Sequence, residues 1–529
     1  MNTLINQKNH LINHLLNIPD VLVQNVPFNI NSFHFLLFKP ELFLITSLVF
    51  LAVLAAFLRN FYRIQDITLY IYILTLYTLA LTLGMVLQNI IYNKTYIIFN
   101  FALVIDYYST IVKAIILFLA IISLIISYRK IKMSFIDLIE YPWFIGISVF
   151  FLMLLISSFS MITLYLSIEG LSLTLYILTA YPFSKSSMEA ASKYYVFGAW
   201  SSGVLLLGIV LSYGLFGAFD FLSISQTEIY SYKILKDVST FLIVFGFIFK
   251  LGMYPFHMWA FDVYEGTWFP VTFFFMTVIK TGVFCLFIKV IFYLFQSVWL
   301  VKYLLVFSGI GSLIVGSLGS LTQIKLKKLF IYSSISQVGF CFFGLFLGTP
   351  EAIQKTFLFF SFYMITSIGI LIILLNTESY IQGVGLKYVT DLSSFGEHNR
   401  AEAIALSIML LSLAGIPPLA GFWSKLFIFK LLIEASLFNL VMFGIVFSAI
   451  NAFIYIKLIK CLLFDKYIIK TESVSTDFFL FNIYGSYFKF NNWILNLIVV
   501  FITLFICIIP IDINEFLIYL KQIANSMVE

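Results

Sequence analysis

The sequence predicts an all-α, polytopic membrane protein, and three observations support this prediction. Of its 529 residues, 62% are hydrophobic and only 11% are charged, with a mean hydropathy of +1.04. Soluble domains usually carry about 25% charged residues. Apolar runs of about 20 residues recur from residue 41 to 509, and each can cross ~30 Å of hydrocarbon as a helix. The runs lack the alternation of barrel strands, and lipid offers no hydrogen bonds to a bare backbone, so helices are expected.

The apolar runs predict about fourteen transmembrane helices. Spans 4–8 and 9–13 form two blocks of five that follow each other directly, and blocks with an odd number of spans must then have opposite orientations, so two inverted five-helix repeats are expected. The spans are expected near 42–58, 67–90, 106–127, 143–159, 161–180, 191–214, 238–263, 268–294, 297–320, 328–348, 354–376, 403–433, 436–463 and 490–509.

The same pattern divides the chain into six parts. The first 40 residues are rich in Asn and lack the charged and apolar regions of a signal peptide and the Arg-rich composition of a transit peptide. We therefore expect insertion from the compartment of translation. The parts are a polar N-terminal extension (1–40), three first helices (41–128), repeat 1 (140–295), repeat 2 (296–463), a loop (464–489) and a final helix with its tail (490–529).

Loop charges predict the orientation of the helices. Loops on one side carry most of the basic residues, for example Arg59, Arg129, Lys185, Lys325 and Lys466. By the positive-inside rule this side, called the inner side below, faces the cytoplasm or matrix. An even number of spans then places both termini on the opposite, outer side.

Two predicted spans are interrupted in the same way. In the seventh, Gly252 is followed by Pro255 and Trp259; in the twelfth, Gly415 is followed by Pro418 and Phe422 at the same spacing. Proline removes a backbone hydrogen bond, and exposed carbonyl groups are tolerated at membrane depth only inside protein or beside a watery cavity. Paired broken helices in inverted halves indicate a transport site. The breaks are expected to free the carbonyl of Leu251 beside Lys250 and those of Leu413 and Ala414 beside Lys425.

Four charged residues lie in the middle of predicted spans: Glu169, Lys250, Lys280 and Lys425. Each would cost about 2.5–3.5 kcal/mol at the centre of a bilayer, so structure alone rarely retains them. Burial disfavours the ammonium form of lysine, and a nearby carboxylate favours it. A change in the distance between a carboxylate and a lysine therefore loads or releases a proton. Lysine supplies no oxygen ligand for Na⁺, which makes protons the better cargo.

For several other residues the sequence predicts a role less clearly. Lys193 at the start of the sixth span either snorkels to the interface or belongs to the buried series. His257 beside Pro255 either relays protons or binds a freed carbonyl. Asp262 and Glu265 are expected to be structural, and Gly309, Gly311, Gly316 and Gly319 to allow close helix packing. Interfacial positions are expected for Lys113, Lys289, Lys302, Lys430 and Glu434. The cysteines Cys285, Cys341, Cys461 and Cys507 lack a paired spacing and are expected to be buried apolar residues.

The segments that hold these residues resemble the antiporter-like subunits of respiratory complex I, most closely the subunit 2 (NuoN/NdhB) type. The resemblance covers about residues 40–465 and departs from the family at Thr267-Trp268-Phe269 and at Ser336-Gln337, where a His is common. It is carried by Phe249-Lys250-Leu251-Gly252, Pro255 to Trp259, Asp262 to Gly266, Pro270-Val271-Thr272, Lys193-Tyr194-Tyr195, Tyr332 to Ser336 and Ala414 to Phe422.

The resemblance implies an antiporter-like fold and a proton-translocating subunit of NADH:ubiquinone oxidoreductase. Glu169 and Lys250 would form the ion pair of one half-channel with Lys193 nearby, Lys280 would be the central relay, and Lys425 would lead to the opposite side. This chain would hold no cofactor of its own. NADH, FMN, iron–sulfur clusters and ubiquinone would bind to partner subunits, and the neighbours would be other membrane-arm subunits, especially further antiporter-like ones, and lipids.

The abundance of Phe (62) and Tyr (31) suits an AT-rich organellar genome, so the mitochondrial inner membrane is the expected location; a bacterial or plastid energy-transducing membrane is the alternative. The net charge of +6 lies in short loops and does not predict nucleic-acid binding. Two other functions fit less well: a free-standing Mrp-like cation/proton antiporter, and a scaffold without transport.

Overall fold

A computed structural model describes residues 37–59, 64–90, 95–134, 139–226, 233–295, 298–380, 386–465 and 493–526. Within these ranges the chain is almost entirely helical, as predicted. Eleven of the described helices are long and apolar enough to cross a membrane, or twelve if one bent pair counts as a single span. The two predicted broken spans fall outside this count. The number of fourteen and the inverted relation of the repeats therefore stay predictions.

The helices follow the predicted spans closely. Each of the two interrupted spans forms a pair of helices, α8 with α9 and α15 with α16. The helices are α1 (Lys39–Leu58), α2 (Ile64–Ile90), α3 (Tyr107–Ser134), α4 (Glu140–Ser157), α5 (Met161–Ala180), α6 (Lys185–Phe216), α7 (Phe221–Gln226), α8 (Lys233–Leu251), α9 (Met258–Gly266), α10 (Phe269–Phe274, continued by Phe275–Ile279, Lys280–Val290 and Ile291–Phe295), α11 (Trp299–Thr322), α12 (Leu326–Leu345), α13 (Pro350–Tyr380), α14 (Asp391–His398), α15 (Arg400–Ala414), α16 (Ala420–Glu434), α17 (Phe438–Leu463), α18 (Trp493–Ile508) and α19 (Ile513–Asn525).

Helix α10 is the centre of the molecule. Its most apolar 18-residue window is completely buried, whereas only 22% of the corresponding window of α1 is buried. It packs against α3, α4, α8 and α13. The segment Phe275–Ile279 is a π-helix, so the turn just before Lys280 is wider than an ordinary α-helical turn. Lys280 is thus held inside protein and not beside lipid.

A short β-hairpin lies between α2 and α3, on the predicted outer side. Strands β1 (Tyr96–Ile98) and β2 (Leu103–Ile105) pair antiparallel. Ile98, Leu103 and Ile105 form a small apolar cluster with Leu37 before α1. The hairpin was not predicted, because strands of three residues leave little alternation to detect in a sequence.

The C-terminal part contains a helix, α19, in the segment that was expected to be a tail. Helices α18 and α19 meet at a bend of 101°. Helix α19 packs on α13, where Gln354 Nε2 donates a hydrogen bond to the carbonyl of Leu517 (2.6 Å) and Phe362 stacks on Phe516. The predicted N-terminal extension, except for its last residues, and nearly all of the predicted 464–489 loop lie outside the described residues.

Glycines on α11 allow close contact with α12, as predicted. A methyl group on Gly316 would lie 2.7 Å from the backbone nitrogen of Ser336 and 2.8 Å from the carbonyl of Tyr332. Gly309 likewise faces Phe343 of α12. The small residues therefore set the distance between α11 and the helix that carries Ser334.

We expect Gly316→Ala to destabilise the protein by about 1–3 kcal/mol, because the added methyl group meets backbone atoms that cannot rotate away. Thermal unfolding of the full chain purified in detergent measures the change. Gly203→Ala on α6 is the matched control, since nothing lies within 4 Å of its added methyl group. Equal melting temperatures for the two variants would contradict this packing.

Candidate functional site

The break between α15 and α16 binds Lys425. Helix α15 ends at Ala414, Gly415 adopts a left-handed conformation (φ +83°), and α16 begins at Ala420. Lys425 Nζ donates hydrogen bonds to the carbonyl oxygens of Leu413 (2.8 Å) and Ala414 (3.0 Å). These are the two carbonyls that the prolines were predicted to free. The break therefore provides the polar contacts for the buried ammonium group.

The break between α8 and α9 is closed differently. Gly252 is again left-handed (φ +69°), and its N–H donates to the carbonyl of Phe249 (2.9 Å). The indole Nε1 of Trp259 donates to that same carbonyl (3.0 Å), so the first turn of α9 covers the end of α8. His257 immediately precedes α9, and its buried Nδ1 makes no hydrogen bond of normal geometry with a described residue.

Lys250 lies one residue before the end of α8. Its buried Nζ atom and the buried Oε2 atom of Glu169 on α5 lack hydrogen-bond partners among the described residues. The Glu169 carboxylate acts electrostatically on Lys250, but the two charged groups do not approach within the 4.0 Å of an ion pair. The structure therefore places the predicted pair in one region while leaving the two groups separated.

Lys280 points from α10 to α12 and α13. Its Nζ donates to the Ser334 hydroxyl (3.2 Å) and to the Ser334 carbonyl (3.3 Å). It also lies 5.7 Å from the centre of the Tyr363 ring, within the range of a cation–π interaction. Lys280 thus contacts the second half of the molecule through side chains that can exchange protons.

A small cavity lies beside Lys425 and is also lined by Tyr363, whose ring contacts Lys280. The centre of a water molecule can occupy about 10 Å³ of this cavity, which is close to the volume that one water needs. The hydroxyl groups of Tyr363 and Ser412 are buried and make no hydrogen bond of normal geometry with a described residue, and both residues line this cavity. The cavity is lined by Gln337, Phe359, Phe362, Tyr363, Thr366, Ser412, Leu413, Gly421, Ser424 and Lys425.

Gln337, which replaces a residue that is often His in the resembling family, lines this cavity. Its Nε2 lies 3.3 Å from the hydroxyl of Tyr455. On the preceding residue, the Ser336 hydroxyl accepts a hydrogen bond from Asn451 (3.2 Å). The position is therefore polar and connected to α17, but an amide has no titratable proton; the titratable groups nearby include Tyr363, Tyr455 and Lys425.

Lys193 is not buried with the other lysines. Its ammonium group lies 2.9 Å from Glu189, one turn earlier on α6, and 3.3 Å from Asp262 on α9, and its side chain is 39% exposed. Lys193 therefore joins α6 to the second half of the first broken span. The structure does not bring it into contact with Glu169 or Lys250.

Glu265 connects α9 to a second helix. The sequence predicted a structural role for this residue but not its partners. Its carboxylate lies 2.5 Å from both Lys325 and Lys328, at the start of α12. Lys327 Nζ also donates to the carbonyl of Thr267 (2.6 Å). Helix α9 is thus joined to α6 through Asp262 and to α12, the helix of Ser334, through Glu265.

The expectation that Lys113 and Lys289 are interfacial was wrong. Both are fully buried; Lys113 lies 2.6 Å from Glu41, and Lys289 Nζ donates to the carbonyl of Ile156 (3.1 Å). Their positions near the ends of apolar runs suggested snorkelling, but the β-hairpin and the first three helices enclose this region. Glu41 was missed, because a carboxylate at the start of a first span normally lies in water. Lys430 and Glu434 are exposed, as expected.

Comparison with known proteins defines the class. Residues 158–451 match the family model described as NADH:quinone oxidoreductase/Mrp antiporter, TM. The matched segment begins just before α5 and includes both broken spans and all six residues predicted for the transport site. Fold and sequence thus define a multi-pass membrane protein of the antiporter-like class.

Comparison with curated relatives identifies the family within this class. The chain is 35% identical over 445 residues to NADH-quinone oxidoreductase subunit N of Pelagibacter ubique, which covers 83% of this chain and 91% of the relative. It is 34% identical over 404 residues to the subunit N of Bartonella bacilliformis, with 73% and 81% covered. The chain belongs to the NADH-quinone oxidoreductase subunit N family.

Solved structures share the fold. A chain in the structure of respiratory complex I from Thermus thermophilus with bound aureothin is 23% identical, with a TM-score of 0.71, and covers 90% of this chain and 99% of its own. A chain of the Mrp complex from Dietzia sp. DQ12-45-1b is 16% identical, with a TM-score of 0.77 and coverages of 92% and 97%. The predicted antiporter-like fold is confirmed.

The Glu265 connection is expected to depend on pH. Burial favours a higher pKa for Glu265, but hydrogen bonds from Lys325 and Lys328 outweigh it and lower the pKa below the ordinary 4.5; the same bond raises the pKa of Lys325 above 10.5. The stabilisation is therefore present between these values, lost below pH 4.5 as Glu265 is protonated, and lost above pH 10.5 as Lys325 is deprotonated.

We expect Glu265→Gln to lower thermal stability at pH 7 by about 0.2–1 kcal/mol, as for a partly exposed pair, and to have no further effect once the carboxylate is protonated. Unfolding of the purified chain across this pH range provides the measurement. Glu434→Gln, which changes an exposed pair at 3.9 Å, is the control. The same stability difference at pH 7 and in acid low enough to protonate the carboxylate would rule out the ion pair as its cause.

Proposed function

We propose that the chain translocates protons as a membrane-arm subunit of an NADH:quinone oxidoreductase, coupled to quinone reduction in other subunits. One observation carries the proposal: buried Lys425 and Tyr363 line one small cavity, and the Tyr363 ring contacts buried Lys280, in a family named for NADH:quinone oxidoreductases and Mrp antiporters. Tyr363 contacts Lys280 through its ring and lines the cavity beside Lys425.

Protons would pass between the two lysines through hydroxyl groups and water. The Lys280 ammonium can give a proton to the Ser334 hydroxyl while that hydroxyl passes its own proton on. Tyr363 and a water in the cavity can continue the transfer to a neutral Lys425 amine. The carbonyls of Leu413 and Ala414 accept from the resulting ammonium group and so hold the proton at membrane depth.

The first half would be controlled by the distance between Glu169 and Lys250. Neither buried charged atom has a fixed described partner, so each is free to gain one. Movement of the carboxylate toward Lys250 favours the ammonium form, and its withdrawal favours proton release toward Lys280. His257 in the same break would be a further carrier, because its Nδ1 is buried and makes no hydrogen bond of normal geometry with a described residue. Lys193, paired with Asp262, would respond to movement of α9.

The redox chemistry would take place in other subunits of the assembly. NADH, FMN, iron–sulfur clusters and ubiquinone would bind there, while this chain supplies no redox centre and contacts other antiporter-like subunits and lipid. The chain would function in the mitochondrial inner membrane. The relatives named above are bacterial, so a bacterial membrane is the alternative location. The six predicted parts, with two inverted repeats, remain the proposed organisation.

A free-standing cation/proton antiporter is the second candidate, since the fold is shared with a chain of an Mrp complex. Purification of the tagged chain under mild conditions separates the two functions. The proposal expects flavin and iron–sulfur absorbance to co-purify with the chain, together with NADH:quinone reductase activity. Isolation with cation/proton exchange and without these absorbances would favour the antiporter.

We expect Lys425→Met to reduce proton pumping to a small fraction of that of the unchanged protein, because Met cannot bind a proton. Pumping per NADH oxidised is measured with the intact complex in sealed vesicles. Lys430→Met is the matched control, since this lysine lies on the same helix with 62% of its side chain exposed. Normal pumping by Lys425→Met or by Lys250→Met would exclude the proposed path.

Tyr363→Phe tests the connection between the two lysines. The ring keeps its contact with Lys280, but this cavity-lining residue loses its hydroxyl group, so we expect pumping to slow several-fold while the complex assembles normally. Tyr141→Phe is the control, since that buried hydroxyl is also unpartnered in the described structure but lies outside the cavity. Equal pumping rates for the two variants would show that Tyr363 carries no proton.

A further inference from the structure

A second group of buried charges lies away from the central lysines. It consists of Glu41, Asp106, Lys113 and Lys289, called the outer cluster below, each with at most 2% of its surface exposed. Lys113 Nζ donates to Glu41 Oε1 at 2.6 Å, and Asp106 acts electrostatically on Lys289. The group has two acids and two bases and is neutral when all four are ionised.

The outer cluster is built from the N-terminal three-helix unit and the central helix. Glu41 is in the first turn of α1, Asp106 directly precedes α3, and Lys113 is two turns into α3. Lys289 is six residues before the end of α10, about 9 Å along the helix axis. All four are thus near the predicted outer side, beneath the β-hairpin that ends at Ile105.

The hydrogen bonding of the cluster is incomplete. Glu41 Oε2 and Asp106 Oδ2 are buried and have no partner among the described residues. In the described part of the chain, Asp106 Oδ1 accepts one hydrogen bond, from the N–H of Ser109, and Lys289 Nζ donates to one carbonyl, that of Ile156. Ion pairs that serve only to hold helices together need their remaining polar atoms satisfied, since each unpaired buried atom costs free energy. Unused carboxylate oxygens are instead ready to bind a proton or a water molecule.

The outer cluster is separate from the central series. Lys280 and Lys289 are nine residues apart on α10, which places their side chains about half a turn apart around the helix. Lys280 faces Ser334 of α12, whereas Lys289 faces Ile156 and the Phe159 ring after α4. The cluster therefore belongs to the other side of α10.

We propose that the outer cluster is a second proton-binding site, which gains and loses a proton during turnover on the release side of the membrane. The inference rests on the proposed function, since it needs a chain that conducts protons. Within the cluster, the N–H bond of the Lys113 ammonium breaks and an O–H bond forms on Glu41, which leaves both groups neutral. An arriving proton then recharges the Lys113 amine, and the Glu41 proton leaves toward the outer side.

The surroundings supply further groups that can take part in hydrogen bonding. The Tyr108 hydroxyl donates to the Cys285 carbonyl on α10 (2.6 Å), and Asp106 acts electrostatically on Tyr108 and Tyr293. These residues, with Cys285 and the four charged residues, are the titratable groups that face the site. Two lysines in the site disfavour Na⁺, and two carboxylates disfavour an anion, so the proton is the ligand that the charge balance allows.

The test uses the intact complex with two variants that keep the packing. Glu41→Gln keeps an oxygen that can accept the hydrogen bond from Lys113 but cannot be protonated, and Lys113→Arg keeps a positive charge beside Glu41 but does not release a proton. Infrared difference spectra between resting and NADH-reduced complex detect a protonated carboxyl group, and proton pumping is measured in vesicles. Lys302→Arg, a partly buried lysine at the start of α11 outside the cluster, is the control.

We expect both variants to keep NADH:quinone reductase activity, to lose the carboxyl signal of the unchanged complex and to pump several-fold more slowly than Lys302→Arg. Unchanged pumping and an unchanged carboxyl signal in both variants would overturn the inference and leave a structural ion-pair cluster. Failure of the proposed function gives a different result, because Lys425→Met would then pump normally whatever the outer cluster does.

Discussion

Two hydrogen bonds from Lys425 to the carbonyls of Leu413 and Ala414 connect the interrupted helix to the buried charge. Lipid cannot satisfy a free carbonyl or an ammonium group, and each would be costly at membrane depth. Inside the protein, the ammonium group donates hydrogen bonds to the carbonyls, so both kinds of group have polar partners. The left-handed Gly415 ends α15 so that its last carbonyls stay open, and α16 then brings the lysine back to them.

The other buried charged groups make fewer hydrogen bonds with described residues. Lys280 binds one serine, whereas Lys250 and Glu169 have buried atoms with no described partner. A fully bonded group holds its proton firmly, and an incompletely bonded one changes state when a neighbour moves. Helix α9 is placed to cause such movement, because its two carboxylates join it to α6 and α12.

Much of this arrangement could be predicted from the sequence. The spacing of Gly, Pro and an aromatic residue located both breaks, and the chemistry of proline identified the carbonyls that bind Lys425. Local rules of this kind work because a backbone break acts on residues a few positions away. Lys280 in the centre of an apolar run was equally clear, since no interface is within reach of its side chain.

The remaining features depend on contacts between distant segments. Lys113 and Lys289 were expected at the interface, but Glu41 lies 72 residues from Lys113, and the enclosing hairpin leaves almost no sequence pattern. The separation of Glu169 from Lys250 depends on how α5 and α8 pack, which periodicity does not determine. The partners of Asp262 and Glu265 likewise could not be predicted from the sequence, because charged residues at helix ends usually face water.

The central claim is that water joins the buried lysines inside the protein. A high-resolution cryo-electron microscopy map of the intact complex tests it directly. The account predicts ordered water between the Tyr363 hydroxyl, Ser412 and Lys425, with the lysine still bound to the carbonyls of the break. A dry, closed space there, with Lys425 turned away toward lipid, would contradict it.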